Sequence, residues 1–325
     1  MRTAFVTGGT GFVGFNLIAE LVAQDWRVIA LHRRTSRVED LRDLDVALVE
    51  GDILDAASLM RAIPEQADAV FHVAGHISFW RGARVEQEQV NIAGTRNVVG
   101  AARNRGARRV VHTSSIAAYG QARCRIDERS PPDSSSDWIG YFRTKRRGEE
   151  VALSGATAET EVVVLQPANI IGPHDRHGWS RLFPMVKEGR LPGIPPGRGS
   201  FAHAREVARA HVAAATQGRA GERYLLGGAD ASYRELVSGV GALVGGKGLP
   251  RPMPVPVLKG IARVYALGAM FTRREPDITP ENAAVVCDTT TCDSSKAVRE
   301  LGYREAPLEE MLSDCHQWME SAGLL

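Results

Sequence analysis

The chain has 325 residues, 44% of them hydrophobic, and a formal net charge of +2. That length suits one large α/β unit or two close-knit lobes, and the near-balanced charge gives no case for a nucleic-acid partner. The four cysteines (Cys124, Cys287, Cys292, Cys315) lack C-x-x-C spacing, so neither a zinc knuckle nor a disulfide framework is expected, and they read as reduced thiols of a cytoplasmic protein.

Arg2 to Thr7 is a short apolar run that predicts a buried strand and leaves no room for a signal peptide. Gly8, Gly9, Gly11 and Gly14 follow in the string TGGTGFVG, and Phe12 to Val22 then carries apolar residues at helical spacing. The glycines therefore sit on a strand-to-helix turn, the context in which such a turn binds a dinucleotide. Gly8 allows the sharp turn, Gly11 lets the backbone approach a pyrophosphate, and Gly14 lets the helix pack closely. Unpaired N–H groups at the helix start, at Phe12 and Val13, suit the phosphates. The second strand, Trp26 to Leu31, ends in His32-Arg33-Arg34. An acidic residue near this place would accept from a ribose 2′-hydroxyl; two arginines instead accommodate a 2′-phosphate. The cofactor expected is NADP(H) in preference to NAD(H), with Arg33 the principal contact. A third run, Val46 to Val49, leads to Asp52-Ile53, where a loop could flank the adenine.

Strand and helix patterns continue to alternate. Ala67 to Ala74 reads as a fourth strand, Arg84 to Asn104 as a helix, Arg109 to Thr113 as a fifth strand and Val162 to Gln166 as a sixth. Such alternation predicts an α/β fold, a doubly wound parallel sheet of Rossmann type. Ligands of such sheets lie beyond the carboxyl ends of the strands. After Gly172 the composition changes: Pro173 to Gly199 and Pro250 to Pro256 are rich in proline and other loop formers. Residues 1–172 are read as the dinucleotide-binding domain, with returns near 201–226 and 283–290. Residues 173–200 and 227–325 are read as a smaller substrate-binding lobe.

Several segments now resemble a known family in their order. They are TGGTGFVG, the Arg33 position, Asp52-Ile53, Val73-Ala74-Gly75, Asn91 to Thr95, Thr113-Ser114-Ser115, Tyr141-x-x-x-Lys145 and Pro167-Ala-Asn169-Ile170-Ile-Gly-Pro173. The chain is similar to the extended short-chain dehydrogenase/reductases, the NAD(P)-dependent epimerase/dehydratase family. Asp293 to Lys296 and Glu300 to Tyr303 resemble its C-terminal signature. His72 to Trp80 (HVAGHISFW) is similar to the branch of dihydroflavonol reductases and 3β-hydroxysteroid dehydrogenases. Gln166 stands where many members have arginine, and Phe201 to Glu206 departs from the usual valine and aspartate. The resemblance implies Ser115, Tyr141 and Lys145 as catalytic residues. It implies cofactor contacts from Thr7, Gly8, Gly11, Phe12, Val13, Gly14, Arg33, Arg34, Asp52, Ile53, Val73, Ala74, Gly75, Thr113, Ser114, Tyr141, Lys145, Pro167, Asn169 and Ile170. Ser114 competes with Ser115, which the register counted back from Tyr119-Gly120 favours. Asn91 is expected to order its helix or a water. A homodimer through helices flanking the sheet, including the one bearing Tyr141, is implied as well.

The residue types carry the chemistry. Tyr141 and Lys145, four apart on a helix, share one face. A cationic Lys145 nearby, with the oxidised nicotinamide, favours the phenolate and would draw its pKa from about 10 toward working pH. Ser115 can hold a substrate oxygen while Tyr141 exchanges a proton with it. His76 and Trp80 are expected in the substrate-pocket wall. His72 is expected to be packed, and His174 and His177 lack a third ligand, so no metal site is expected.

No apolar run approaches a membrane span. Pro256 to Arg274 nevertheless combines an apolar helical face with Lys259, Arg263, Arg273 and Arg274. Two readings stay open: a core-packed helix of the substrate lobe, or a helix resting on an anionic membrane. Either predicts an apolar wall and a substrate with hydrophobic bulk. The expected function is a reductase or alcohol dehydrogenase on a moderately large apolar carbonyl compound. The alternatives are a nucleotide-sugar epimerase or dehydratase with retained NAD, and a catalytically silent binder of the dinucleotide.

Overall fold

The computed structural model describes every residue except Ser134, Ser136, Lys247 and Arg273. In chain order the first half holds β1 (Thr3–Thr7), α1 (Phe12–Ala23), β2 (Arg27–His32), β3 (Val46–Glu50), α2 (Ala56–Ala62) and β4 (Ala69–His72). Then come α3 (Arg84–Glu88), α4 (Thr95–Asn104), β5 (Arg109–Thr113), β6 (Arg125–Ile126), α5 (Gly140–Ser154), β7 (Glu161–Pro167) and β8 (Asn169–Ile171). The second half holds α6 (Leu182–Lys187), β9 (Arg198–His203), α7 (Ala204–Gln217), β10 (Arg223–Leu226), β11 (Ala229–Ser232) and α8 (Tyr233–Val244). It ends with α9 (Val255–Thr272), α10 (Pro280–Val285), β12 (Thr291–Cys292), α11 (Ser295–Leu301) and α12 (Leu308–Ser321).

Seven strands form one parallel sheet in the order β10-β7-β5-β4-β1-β2-β3. Alternate side chains leave a strand on opposite faces. Ala4 and Val6 of β1 thus join Leu17, Ile18 and Leu21 of α1 and Val207 and Ala208 of α7 in one core. Phe5 points to the other face, among Leu59 of α2 and Val98 and Ala102 of α4. Helices on both faces make the sheet doubly wound, and its strand order reverses beside β1. That places the crevice for a ligand at the carboxyl ends of β1 and β4.

The helix expected over 84–104 is divided. Gln89–Gly94 winds as a π-helix between α3 and α4, a wider turn of the kind that often marks a functional site. A smaller assembly covers the sheet's carboxyl end. It has the three-stranded sheet β11-β9-β8 and a core of Phe183, Phe201, Tyr233, Leu236 and Met311. The segment near 201 thus joins this second sheet through β9, and α7 lies against α1 on the main sheet. Residues 283–290 add no strand to the main sheet: they end α10 and lead to β12, which pairs with β6. The C-terminal signature fastens β10. Lys296 donates to the carbonyl of Arg223 (2.6 Å), and the Tyr303 hydroxyl donates to the carbonyl of Gly227 (2.5 Å).

α9 departs from the reading as a core-packed helix. Only Leu258, Ala262 and Ala269 are buried, and by length and composition its 18 residues are enough to cross a bilayer. The expectation that no apolar run approaches such a length is corrected accordingly. Arg273 lies outside the described residues.

Candidate active site

A cleft of about 1170 Å³ opens at the carboxyl ends of the strands. At one end is the glycine turn. Gly8 has φ +74°, and a Cβ there would stand 2.6 Å from the backbone nitrogen of Ala74. A Cβ at Gly14 would strike the carbonyl of Gly8. The turn thus closes directly on the start of α1. No side chain caps that helix, and its first turn carries no acidic residue. An uncapped N-terminus with its positive dipole end turned to a cleft fits the phosphates of a dinucleotide.

Gly8, Gly11, Phe12, Val13 and Gly14 line this end, with Arg33, Asp52, Ile53, Val73, Ala74 and Gly75. Thr113, Ser114, Pro167, Asn169 and Ile170 line it further along. Two of the expected contacts do not. Thr7 is fully buried, where its hydroxyl bonds His72 Nδ1 (2.9 Å) and accepts from the Ala74 N–H (3.3 Å). It fixes the loop at 73–75 from beneath. Arg34 is exposed in the turn after β2, outside the lining. Arg33 is exposed and within it, beside Ser36. The Ser114 hydroxyl is buried without a hydrogen-bond partner, so a polar group is left facing the place a cofactor would fill.

Tyr141 begins α5 and sits edge-on to Phe79, with ring centroids 5.5 Å apart. Burial pushes its hydroxyl up to about 12, against a hydrogen bond with Ser115 that pulls it down. Lys145, one turn along, donates to the carbonyl of Thr113 (2.9 Å), and burial brings it down to about 8. At Tyr141 burial dominates, and the opposing influence is Ser115. Ser115 also accepts from the Ala117 N–H (3.1 Å), which holds its side chain at the end of β5. Of the two competing serines, Ser115 is the one placed on Tyr141.

The Asn91 amide clamps the backbone of His76. Its oxygen accepts from the His76 N–H (2.8 Å), and its nitrogen donates to the His76 carbonyl (3.0 Å) and to Thr144 (3.1 Å). The π-helix follows from this demand, because the widened turn brings Asn91 to both α5 and the loop. Its carbonyl lies where a Cβ at Gly148 would be.

His76 lines the cleft and Trp80 does not; Phe79 does instead. No residue of α9 lines it either, so the apolar wall expected from 256–274 is corrected. The far end is built by residues that sequence reasoning missed, among them Phe142, Trp179, Arg181, Arg198 and Tyr233. Phe142, beside the Tyr141 motif, had a signal; Trp179 and Arg181 lie in a short helical turn, Arg198 in β9 and Tyr233 at the start of α8, where no short pattern marks them. Gln166 is buried and donates to Glu149 (2.8 Å), while Arg223 of the neighbouring strand pairs with the same carboxylate. The cation expected at 166 is supplied from β10.

The histidines are occupied by packing. His72 bonds the hydroxyls of Thr7 and Thr95, and His174 stacks on Phe15 and Trp318. The Asp175 carboxylate accepts from the N–H groups of His177, Gly178 and Ser180. Among the described residues, no group of three His, Cys, Asp or Glu could hold a metal.

Residues 4–227 match the NAD dependent epimerase/dehydratase family. Over 334 residues the chain is 32% identical to sterol demethylase protein B of Methylococcus capsulatus, covering 99% of this chain and 100% of that one. Over 333 residues it is 30% identical to a protein described as a dihydroflavonol 4-reductase in Synechocystis, covering 98% and 95%. Among solved structures, that of gox2253 superposes with a TM-score of 0.86 at 27% identity, over 100% of both chains.

Proposed function

Because this chain belongs to the NAD dependent epimerase/dehydratase family, whose members bind NAD(P), we propose that it is an NADP(H)-dependent oxidoreductase. It interconverts a ketone or aldehyde with an alcohol on a moderately large apolar molecule. The observation that carries the reading is the Tyr141 hydroxyl, bonded to Ser115 one helical turn from Lys145, in the same cleft as the glycine turn.

When bound, the dinucleotide supplies or accepts the hydride. The chain does the rest. A Tyr141 hydroxyl held near 12 is protonated at neutral pH and so is a proton donor to a carbonyl oxygen. Ser115 steadies the charge on that oxygen, and its hydrogen bond favours the phenolate left behind. Lys145, pinned to Thr113, supports ribose hydroxyls beside Gly75, where a Cβ would stand 3.4 Å from its ammonium. Residues 173–200 and 227–325 serve as the substrate lobe over a dinucleotide domain at 1–172. A homodimer through the helices flanking the sheet, α5 among them, belongs to the same reading. So does a cytoplasmic site of action, which suits four unpaired cysteines.

Arg33 supports NADP(H): it lines the cleft at the end of β2, where its sequence neighbours are His32 and Arg34 rather than a carboxylate. The substrate class rests on Phe79, Phe142, Trp179, Tyr233 and Val285 in the lining, and on relatives named for sterol and flavonol chemistry. A second reading, a nucleotide-sugar epimerase or dehydratase with retained NAD, is favoured by Arg181 and Arg198, two cations that suit a diphosphate. Mass spectrometry of nucleotides released on denaturation separates the two. Exchangeable NADPH with turnover of ketones supports the reductase; near-stoichiometric retained NAD supports the epimerase and defeats the reductase reading.

A further inference from the structure

α9 turns its apolar side outward. Leu258, Ala262 and Ala269 form its one buried stripe, packed toward α10. At 3.6 residues per turn the opposite side carries Val257, Val264, Leu267 and Phe271. The last three are 67%, 60% and 90% exposed. Ile261, Tyr265 and Met270 are exposed as well, and a contiguous apolar patch of this kind marks a contact surface.

Charge selects the occupant. From Leu236 to Arg274 the sequence has no aspartate or glutamate, but it has Lys247, Arg251, Lys259, Arg263, Arg273 and Arg274. Lys259 and Arg263 are exposed beside the apolar face and have no ion pair among the described residues. A second copy docked through the same face would bring these cations together, whereas an anionic bilayer offers lipid tails to the apolar residues and headgroups to the cations. A spanning helix would have to abandon the contact of Leu258 and Ala262 with α10, so α9 lies along the surface.

The helix also leads to the cleft mouth. Glu275, Pro276, Asp277 and Thr279, which follow it, line the cleft, and Glu275 accepts from the Ser78 hydroxyl (2.9 Å). Exposed Ile77 lines the cleft too, and nearby Arg81 pairs with Glu281 (2.5 Å) and lies over the exposed Trp138 ring. Exposed apolar and indole groups there suit a headgroup boundary.

We propose that the outward face of α9 docks on an anionic lipid bilayer and sets the cleft mouth at its surface. Apolar carbonyl compounds then enter from the lipid, a use that rests on the reductase reading; the docking itself does not. Sedimentation of the full-length protein with vesicles of phosphatidylcholine, with and without phosphatidylglycerol, tests it without any turnover. The protein is expected to pellet with the anionic vesicles and to be released by salt. Val264→Glu with Phe271→Glu, or Lys259→Glu with Arg263→Glu, should lower binding about tenfold or more, with melting temperature and nucleotide affinity unchanged. Pelleting on neither vesicle, or equally on both, overturns the proposal. So does a dimer that the same glutamates dissociate in the absence of vesicle binding, since the face then belongs to a second copy.

Discussion

At the residue scale, burial sets the chemistry of the site more than charge does. Tyr141 is held near 12 by burial, and Ser115 supplies the pull in the other direction. Ser115→Ala removes both that pull and the contact to the reacting oxygen, so kcat should fall about a hundredfold or more. Ser114→Ala, at a buried hydroxyl with no hydrogen-bond partner, should instead be read in nucleotide affinity. Equal kinetic losses in the two variants would contradict the assignment. Arg33→Asp should weaken NADPH binding much more than NADH binding, because it removes a phosphate partner and adds a repelling charge. Titration of both nucleotides checks this, and equal weakening refutes the cofactor preference. The tyrosine, lysine and serines were legible because each sits at a fixed offset in a short motif. The direction of the Lys145 ammonium was not, because the packing around it decides that. It points to the Thr113 carbonyl.

At the element scale, the strands that were legible are those buried on both faces of a parallel sheet. There a short apolar run has little alternative, as in Arg109 to Thr113. The π-helix was not legible, because it answers to Asn91 reaching both the loop at His76 and Thr144 of α5. The placement of α9 stayed open for a similar reason: its apolar positions run nearly all round, so spacing alone does not choose which side packs. The glycine turn was legible, and its cost to disturb is readable from geometry. Gly8→Ala forces a left-handed backbone on alanine and drives its Cβ against Ala74. It should cost at least about 1 kcal/mol of stability and weaken nucleotide binding. Chemical denaturation with a nucleotide titration measures both, and a neutral effect would contradict the packing described.

At the scale of the whole molecule, three buried histidines tie stability to pH. Burial brings His72 down to about 3 and His211 to about 4, and holds His112 well below the usual range. All lie below the unfolded value of about 6.5, so as pH falls the unfolded chain takes up their protons first. Stability is therefore present above about 6.5 and is lost as pH falls toward these native values. Each histidine contributes about 1.4 kcal/mol per pH unit in that window. Urea midpoints should drop between about pH 7 and about pH 5, and His211→Gln should flatten that slope by one proton's share. A flat profile would contradict the burial of the three rings. The doubly wound sheet was legible from alternating patterns. A smaller lobe was expected over the sheet, but its strands were not legible, since β8 and β11 are short and pair with β9 across long stretches of chain.

The most direct test of the central claim is Tyr141→Phe, assayed for NADPH-dependent ketone reduction alongside NADPH affinity. The hydroxyl is all that changes, and the ring keeps its place against Phe79. The account predicts turnover lower by about a hundredfold or more with nucleotide affinity unchanged. Turnover that survives the substitution would contradict it.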